Sequence, residues 1–266
     1  MKIAVLGDVH LIADDDPYKK LHERRLFFKS AWPSFQRLLT EVNGEAPDLV
    51  ILLGDLVDWF SPQNIAFGLD LLSALTAPWY MTPGNHDLAA PSGGADQQAY
   101  HTEAKRDYLV YWAEQGVDLS NRTLATAGFA SILLDSALSN LTARAGEWLY
   151  EAARSDVPNL LFTHVPIDVN ITREYILSVD ARRSMTKYVI SAEPELYGRS
   201  IAGRIDHVFT GHLHFDGDLR LARTHFHLCT MSITMDDPNR SYGTVATAKI
   251  IECGHGAFTC RDLIVQ

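Results

Sequence analysis

The sequence predicts an α/β fold, because short apolar runs alternate along most of the chain with longer stretches of helical periodicity. Its composition agrees, since 47% of the residues are hydrophobic and 21% are charged, as is typical of globular and not of disordered proteins. A length of 266 residues is compatible with one large domain, so we expect residues 1–266 to form a single domain.

Six apolar runs in the first four-fifths of the chain are predicted to be buried strands. Each run is short and is followed by polar or turn-forming residues, which favours a strand over a helix. The runs are residues 3–6, 49–53, 79–81, 131–134, 160–162 and 207–209.

The segments between these runs have the apolar spacing of helices: 21–42, 65–75, 104–112, 143–153 and 194–201. Strands separated by helices favour parallel connections in this part of the chain. The end of the chain differs, because residues 225–230, 244–251 and 257–265 look like consecutive strands without helices, which indicates an antiparallel end to a sheet. Residues 89–96 and 165–170 are expected to be irregular.

Charge, cysteine content and the N-terminus limit the classes of function. A formal net charge of −10 argues against broad binding of nucleic acid, which usually requires a basic face. The cysteines Cys229, Cys253 and Cys260 are odd in number and match no zinc motif, as expected of reduced thiols in the cytosol. No segment is long and apolar enough to span a membrane, and the N-terminus shows no secretory pattern. We therefore expect a cytoplasmic protein with no membrane partner.

Polar clusters rich in Asp, His and Asn follow five of the predicted strands. Ligands gather at the carboxyl ends of strands in open α/β sheets, so residues far apart in sequence are expected to meet there. Mixed imidazole and carboxylate ligands suit zinc, iron and manganese, and Asp55 is a natural candidate to bridge two metals. The clusters contain Asp8 and His10; Asp55 and Asp58; Asn85, His86 and Asp87; His164; and His212 and His214.

The spacing inside two clusters predicts how their side chains point. On extended backbone, positions i and i+2 lie on the same side, so Asp8 and His10 are expected to reach one place, as are His212 and His214. A glycine precedes Asp55, Asn85 and His212, and we expect it to let the chain turn tightly as it leaves the sheet.

The five clusters, in this order, resemble the calcineurin-like metallophosphoesterase superfamily, whose motifs are D-x-H, G-D-x-x-D, G-N-H-D/E, a lone His and G-H-x-H. The motifs extend from Asp8 to His214 with no substitution at a ligand position, about four-fifths of the chain. The resemblance implies a four-layer αββα sandwich, in which two mixed β-sheets are flanked by helices and a dinuclear metal site lies at the carboxyl ends of strands.

The resemblance also implies roles for individual residues. One metal would be bound by Asp8, His10, Asp55 and His214, and the second by Asp55, Asn85, His164 and His212. His86 would face the substrate and donate a proton to the leaving oxygen. The cofactors implied are two divalent ions, with manganese, iron and zinc all suited to the ligands. Hydrolysis would use hydroxide activated by the metals.

Several other residues have two interpretations. Asp58 and Asp87 could orient a ligand or act as helix N-caps. The acidic run of residues 14–16 is expected to be a solvated loop. Structural roles are favoured for His207, His225 and His227. A phosphate-binding role is weighed against a solvated helix face for Arg173, Arg182 and Arg183, and a mobile lid is the weaker interpretation of Tyr100 and His101.

The function expected first is hydrolysis of a phosphodiester, either a cyclic nucleotide or another small diester. Motif order and a compact chain resemble the bacterial cyclic-nucleotide and glycerophosphodiester branch of the superfamily. The alternatives are a phosphomonoesterase, which would use the same metals, and a nuclease, which the acidic charge disfavours. A non-catalytic scaffold is disfavoured because no ligand position is substituted.

Overall fold

The computed structural model describes residues 1–18, 31–91, 105–126, 128–139, 141–186, 188–190, 197–233, 245–254 and 257–265. Within these residues the strands are β1 (Lys2–Leu6), β2 (Leu49–Leu52), β3 (Trp79–Met81), β4 (Arg122–Thr126), β5 (Phe129–Leu134), β6 (Asn159–Thr163), β7 (His207–Thr210), β8 (Gly217–Leu221), β9 (Thr224–Leu228), β10 (Ala246–Gly254) and β11 (Ala257–Val265). The helices are α1 (Ala31–Gly44), α2 (Pro62–Leu72), α3 (Lys105–Glu114), α4 (Ala143–Ala152) and α5 (Asn170–Val179).

The described strands form two mixed sheets. The first has the order β11-β10-β1-β2-β3. In it β1, β2 and β3 are parallel, β10 is antiparallel to β1, and β11 is antiparallel to β10. The second has the order β4-β5-β6-β7-β9-β8, in which β5, β6, β7 and β9 are parallel and the two edge strands are antiparallel.

Among the described residues, three apolar clusters lie between the layers of the sandwich, and a fourth packs Ile176 of α5 against Leu213 and Leu228. Ile51 and Phe162 belong to the layer between the two sheets. A second layer joins the outer face of the first sheet to α1, α2 and Trp112 of α3. A third joins the outer face of the second sheet to α4 through Leu149. This arrangement confirms the predicted αββα sandwich, and it follows from strands such as β2 that are buried on both faces.

Local sequence explains where α2 and α4 begin. The Ser61 hydroxyl accepts a hydrogen bond from the Asn64 backbone N–H at 3.1 Å, and Pro62 occupies the first turn of α2. Thr142 caps α4 through the Ala145 N–H at 3.2 Å. Both caps satisfy an N–H group that has no partner inside the helix.

The six strand predictions in the first part are confirmed, and two strands were missed. β4 and β8 carry polar residues and lie at sheet edges, where one side is solvated and the apolar signal is weak. Residues 165–169 are irregular as expected, and the helix that begins at Asn170, α5, was not predicted. A π-helical turn, Tyr197–Ile201, covers the described part of predicted helix 194–201.

The interpretation of the last strands as one antiparallel end is confirmed for β10 and β11 and is wrong for β9. The β8–β9 hairpin joins the second sheet, whereas β10 and β11 join the first sheet beside β1. Residues 21–30 of predicted helix 21–42, and Tyr100 and His101, lie outside the described residues. No helix in the described part has the length and apolarity needed to cross a membrane.

Candidate metal centre

The carboxyl ends of five strands, three from the first sheet and two from the second, meet at one end of the sandwich. Within the first sheet, the Asp8 N–H donates to the Gly54 carbonyl at 3.0 Å. Between the sheets, the His212 N–H lies 3.0 Å from both oxygens of the Asp8 carboxylate. The loops after distant strands are therefore joined directly, and their side chains share one site.

The structure brings together all seven predicted ligands and His86. In the described part of the chain, three overlapping groups have ligand atoms within 4.8 Å of one another: Asp8, His10 and His214; His10, Asp55 and His86; and Asp55, His164 and His212. The Asn85 side-chain oxygen joins the third group, 3.1 Å from His164 Nε2. Asp8 and His164 are fully buried, and Asp55 is 1% exposed. Buried charges of this kind require compensation by cations or hydrogen bonds.

Left-handed backbone, and not extended backbone, aims these side chains. The φ angles are 54° at Asp8, 52° at His10, 51° at Asp55, 70° at His212 and 65° at His214. The expected alternation along an extended chain was therefore wrong, although both pairs do reach the site. Residues other than glycine seldom adopt positive φ, and such strain persists where the surroundings hold it, commonly at functional sites.

Two of the glycines act through close approach. A Cβ on Gly84 would lie 2.1 Å from Asp55 Oδ1, and one on Gly211 would lie 2.4 Å from Asp8 Oδ2. Gly54 alone of the three predicted positions has a positive φ, 90°. The expectation of a tight turn therefore holds at Gly54, whereas Gly84 and Gly211 leave room for the carboxylates.

The hydrogen bonds of His164 indicate that a cation belongs beside it. Its Nδ1 lies 2.7 Å from the Leu53 carbonyl, which only accepts, so Nδ1 carries the proton. In the neutral ring, Nε2 then carries a lone pair and can only accept a hydrogen bond. It nevertheless faces two other acceptors, the Asn85 oxygen at 3.1 Å and Asp55 Oδ2 at 3.3 Å. Three acceptors aimed at one point match the donor set of a divalent metal.

His10 repeats this arrangement on the other side of Asp55. Its Nδ1 donates to Asp58 Oδ1 at 3.0 Å, which leaves Nε2 to face His214 Nε2 at 3.1 Å and Asp55 Oδ2 at 3.7 Å. A carboxylate that orients a histidine in this way is usual behind metal ligands. Of the two interpretations of Asp58, the orienting one agrees with this contact.

Asp87 does not contact an imidazole through a hydrogen bond that the structure describes. Its carboxylate accepts from four backbone N–H groups: those of Asp55 at 2.8 Å, Leu56 at 3.0 Å, Val57 at 3.3 Å and Gly84 at 2.8 Å. Asp87 therefore joins the loops after β2 and β3. It positions Asp55 through the main chain, which agrees with the interpretation that Asp87 orients a ligand.

His86 lies beside the cluster with one ring nitrogen already engaged. Its Nδ1 donates to the Asp58 carbonyl at 2.7 Å, and its backbone N–H donates to Asp55 Oδ1 at 2.8 Å. The ring packs edge-on against His10, with centroids 4.6 Å apart. The Nδ1 proton of His86 is therefore directed into the protein, towards the Asp58 carbonyl.

The electrostatics of the cluster follow from burial and close opposite charges. Burial acts to raise the pKa of Asp55, but the charges of His164 and His86 hold it well below its usual value. Burial acts to lower the pKa of His164 and of His86, but the Asp55 carboxylate raises each to about 9. Burial and His164 lower the pKa of His212 to about 3. Positive charge is thus favoured around Asp55: without a metal it is supplied by a second proton on the His164 ring, and a bound divalent ion would take the place of that proton.

The burial of two residues, Asp16 and Arg183, was not predicted from the sequence. Asp16 was expected in a solvated loop, as Asp14 and Asp15 are, yet it is fully buried. Its carboxylate accepts from Trp59 Nε1 at 3.1 Å and from the Ser61 hydroxyl at 2.5 Å. Arg183 donates from Nη2 to the Leu213 carbonyl, whereas Arg182 is exposed and Arg173 pairs with Asp168 at the surface. A single sequence carries no signal for such long-range partners.

Comparisons with known proteins bear on this site. The model of the calcineurin-like phosphoesterase family matches residues 1–216. A probable cyclic nucleotide phosphodiesterase from Fibrobacter succinogenes is 24% identical over 270 residues, covering 96% of this chain and 90% of that protein. One from Pseudoalteromonas sp. is 26% identical over 224 residues, covering 81% and 72%.

Two solved structures show the same fold at low identity. A dimetal phosphatase from Danio rerio superposes with a TM-score of 0.65 at 11% identity, covering 99% of this chain and 98% of that one. A phosphopantetheinyl hydrolase from Mycobacterium tuberculosis superposes with a TM-score of 0.54 at 15% identity, covering 91% and 98%. The resemblance inferred from the motifs is confirmed: the chain belongs to the calcineurin-like phosphoesterase family, whose members are metal-dependent hydrolases of phosphoesters.

Proposed function

We propose that this chain is a dinuclear metal-dependent phosphodiesterase that hydrolyses small diesters, with cyclic nucleotides as the first substrate class. The observation that carries the proposal is the convergence of acceptor atoms around Asp55, which calls for cations on both of its sides. The preference for diesters is supported by the relatives named probable cyclic nucleotide phosphodiesterases.

The proposed ligands divide into two sets that share Asp55. One set is Asp8, His10, Asp55 and His214, and the other is Asp55, Asn85, His164 and His212. Asp55 Oδ2 lies 3.7 Å from His10 Nε2 and 3.3 Å from His164 Nε2, which suits a bridging carboxylate. The donors fit manganese, iron or zinc.

The chain's own residues would position the substrate and move one proton. Bound divalent ions in such a pair neutralise phosphate charge and lower the pKa of water. His86 would donate a proton from Nε2 to the leaving oxygen, because its Nδ1 is held by the Asp58 carbonyl. Asp58 would also fix the ring of His10, and so couples a metal ligand to the proton donor.

Charge and topology support the remaining parts of the proposal. The net charge of −10 favours a small substrate over nucleic acid. Residues 1–266 would act as one catalytic domain, since β10 and β11 pair beside β1 in one sheet. A cytoplasmic location agrees with three cysteines that form no disulfide.

The test is hydrolysis of bis(p-nitrophenyl) phosphate and p-nitrophenyl phosphate, side by side, by protein reconstituted with Mn²⁺. We expect faster turnover of the diester and then hydrolysis of 3′,5′-cyclic AMP or 2′,3′-cyclic AMP. Faster turnover of the monoester would overturn the diester proposal in favour of a phosphatase. Protein treated with a chelator is the control, and we expect it to lose activity and regain it with added Mn²⁺.

A further inference from the structure

Arg183 is a buried arginine behind the loop that carries His212 and His214. Its side chain is 8% exposed, whereas that of the adjacent Arg182 is 91% exposed, although both lie beside Asp180. Arginine is seldom buried without a partner, because removing its charge from water is costly. The groups that Arg183 contacts in its buried position therefore indicate what it does in the structure.

One contact reaches the main chain between the two histidines. Arg183 Nη2 donates to the Leu213 carbonyl at 3.2 Å, and its Nε lies 3.5 Å from Asp180 Oδ2. Leu213 is fully buried. His212 and His214, on either side of it, have φ angles of 70° and 65°. Left-handed backbone at two residues that are not glycine needs external support, and the guanidinium supplies part of it.

A second contact reaches His212 through an aromatic ring. The guanidinium carbon of Arg183 lies 4.5 Å from the centre of the Tyr188 ring, and that ring lies 5.2 Å from the ring of His212. A planar guanidinium can stack on an aromatic face and donate hydrogen bonds in its own plane at the same time. Lysine has no planar group and cannot do both.

We propose that Arg183 is a positioning residue that sets the metal affinity of the centre by fixing the His212–Leu213–His214 backbone and the His212 ring. The inference rests on the proposed function, because it takes His212 and His214 to be metal ligands. Arg183 acts behind the ligands: its hydrogen bond holds the peptide between them, and Tyr188 transmits its position to one imidazole.

The experiment compares R183A, R183K and R182A as metal-free proteins titrated with Mn²⁺ in a calorimeter. R183A is expected to bind Mn²⁺ roughly 10- to 100-fold more weakly, as is usual when a group that orients a ligand is removed. R183K is expected to fall between R183A and the unchanged protein, at least about threefold weaker than the latter. R182A is the matched control and is expected to stay within about twofold, because an exposed ion pair contributes little.

Circular dichroism and Co²⁺ absorption complete the test. A folded R183A protein whose Co²⁺ spectrum differs from that of R182A would support altered ligand geometry, which a loss of stability alone does not produce. Mn²⁺ affinity in R183A equal to that of R182A would overturn the inference. If R183A does not fold, R183K takes its place, and Mn²⁺ affinity in R183K equal to that of R182A would overturn the inference. Failure of the unchanged protein to bind Mn²⁺ would overturn the proposed function, and this inference with it.

Discussion

Two groups of histidines lie at the two ends of β7 and have opposite hydrogen-bonding patterns. The first, the metal-centre group, consists of His10, His164, His212 and His214, and the last two lie just beyond the end of the strand. The second, the edge group, consists of His207, His225 and His227, and His207 is the first residue of the strand. Carboxylates lie beside the histidines of both groups, so the types of residue present do not distinguish a metal site from a structural cluster.

In the edge group, the described ring nitrogens of two histidines have complementary partners. Asp218 Oδ1 lies 2.5 Å from His227 Nδ1, so that nitrogen donates, and His227 Nε2 can accept from His207 Nδ1 at 3.0 Å. The ring of His207 stacks on Phe258 with centroids 3.6 Å apart. Donors and acceptors run in a chain, and no cation is needed. The structural role expected for these histidines agrees with these contacts.

In the metal-centre group, acceptors face acceptors. Nε2 of His164 is directed at oxygens of Asp55 and Asn85, while its Nδ1 donates outward to a carbonyl. The difference indicates which group has the donor arrangement of a metal site: its outer nitrogens donate and its inner lone pairs converge. Variants in the two groups can therefore test this distinction.

The largest effect is expected for Asp55→Ala, which removes the carboxylate shared by both proposed ligand sets. Metal content should fall to near zero, and turnover of a diester should fall by about 10³-fold or more, because charge stabilisation by both ions is lost. Metal analysis of the purified protein, followed by initial-rate assays, measures both quantities. Asp55→Ala protein that retains two metals would remove the basis for a bridging Asp55.

His86→Ala should separate proton donation from metal binding. We expect metal content to be unchanged and kcat to fall by about 10²-fold or more, because a general acid contributes on this scale. The loss should grow with the pKa of the leaving group across a series of aryl diesters. An empty site in this variant would show that His86 is a ligand, and the proposed division of roles would be wrong.

Asp58→Asn and Asp218→Asn form a matched pair, because each carboxylate accepts from a histidine Nδ1 in one of the two groups. Asp58→Asn should weaken Mn²⁺ affinity by roughly 10-fold, since the orientation of His10 is less firmly held. Asp218→Asn should leave the affinity unchanged. Calorimetric titration compares them, and equal effects of the two changes would contradict the distinction between the groups.

The smallest effect on function is expected for His227→Ala. This change removes a side chain that is 7% exposed. Asp218 and His207 each lose the hydrogen bond that they share with His227. The free energy of unfolding should fall by about 1–3 kcal/mol, as for other buried polar groups. Urea unfolding measures this loss, while metal content and kcat should be unchanged. A loss of metal would assign the edge group to the centre.

Much of the fold and the site could be predicted because their signals are local. Buried parallel strands such as β2 are continuous apolar runs, and the polar cluster that follows each is adjacent in sequence. The order of the five clusters then identified the family, and the structure brings all the predicted ligands together.

What could not be predicted depends on distant partners. β10 pairs with β1, at the opposite end of the chain, and nothing in a single sequence indicates such a distant partner. The left-handed backbone at His212 and His214 lies beside two long-range contacts, from the His212 N–H to Asp8 and from Arg183 to the Leu213 carbonyl, which the local sequence does not indicate. Aspartate and arginine are usually exposed, so nothing in the sequence indicated that Asp16 and Arg183 would be buried.

The most direct test of the central claim is anomalous diffraction from crystals of the Mn²⁺-reconstituted protein. We predict two manganese peaks, one on each side of Asp55, with Asp8, His10 and His214 around the first and Asn85, His164 and His212 around the second. The edge group should show none. A single peak, or a peak between His207 and His227, would contradict the account.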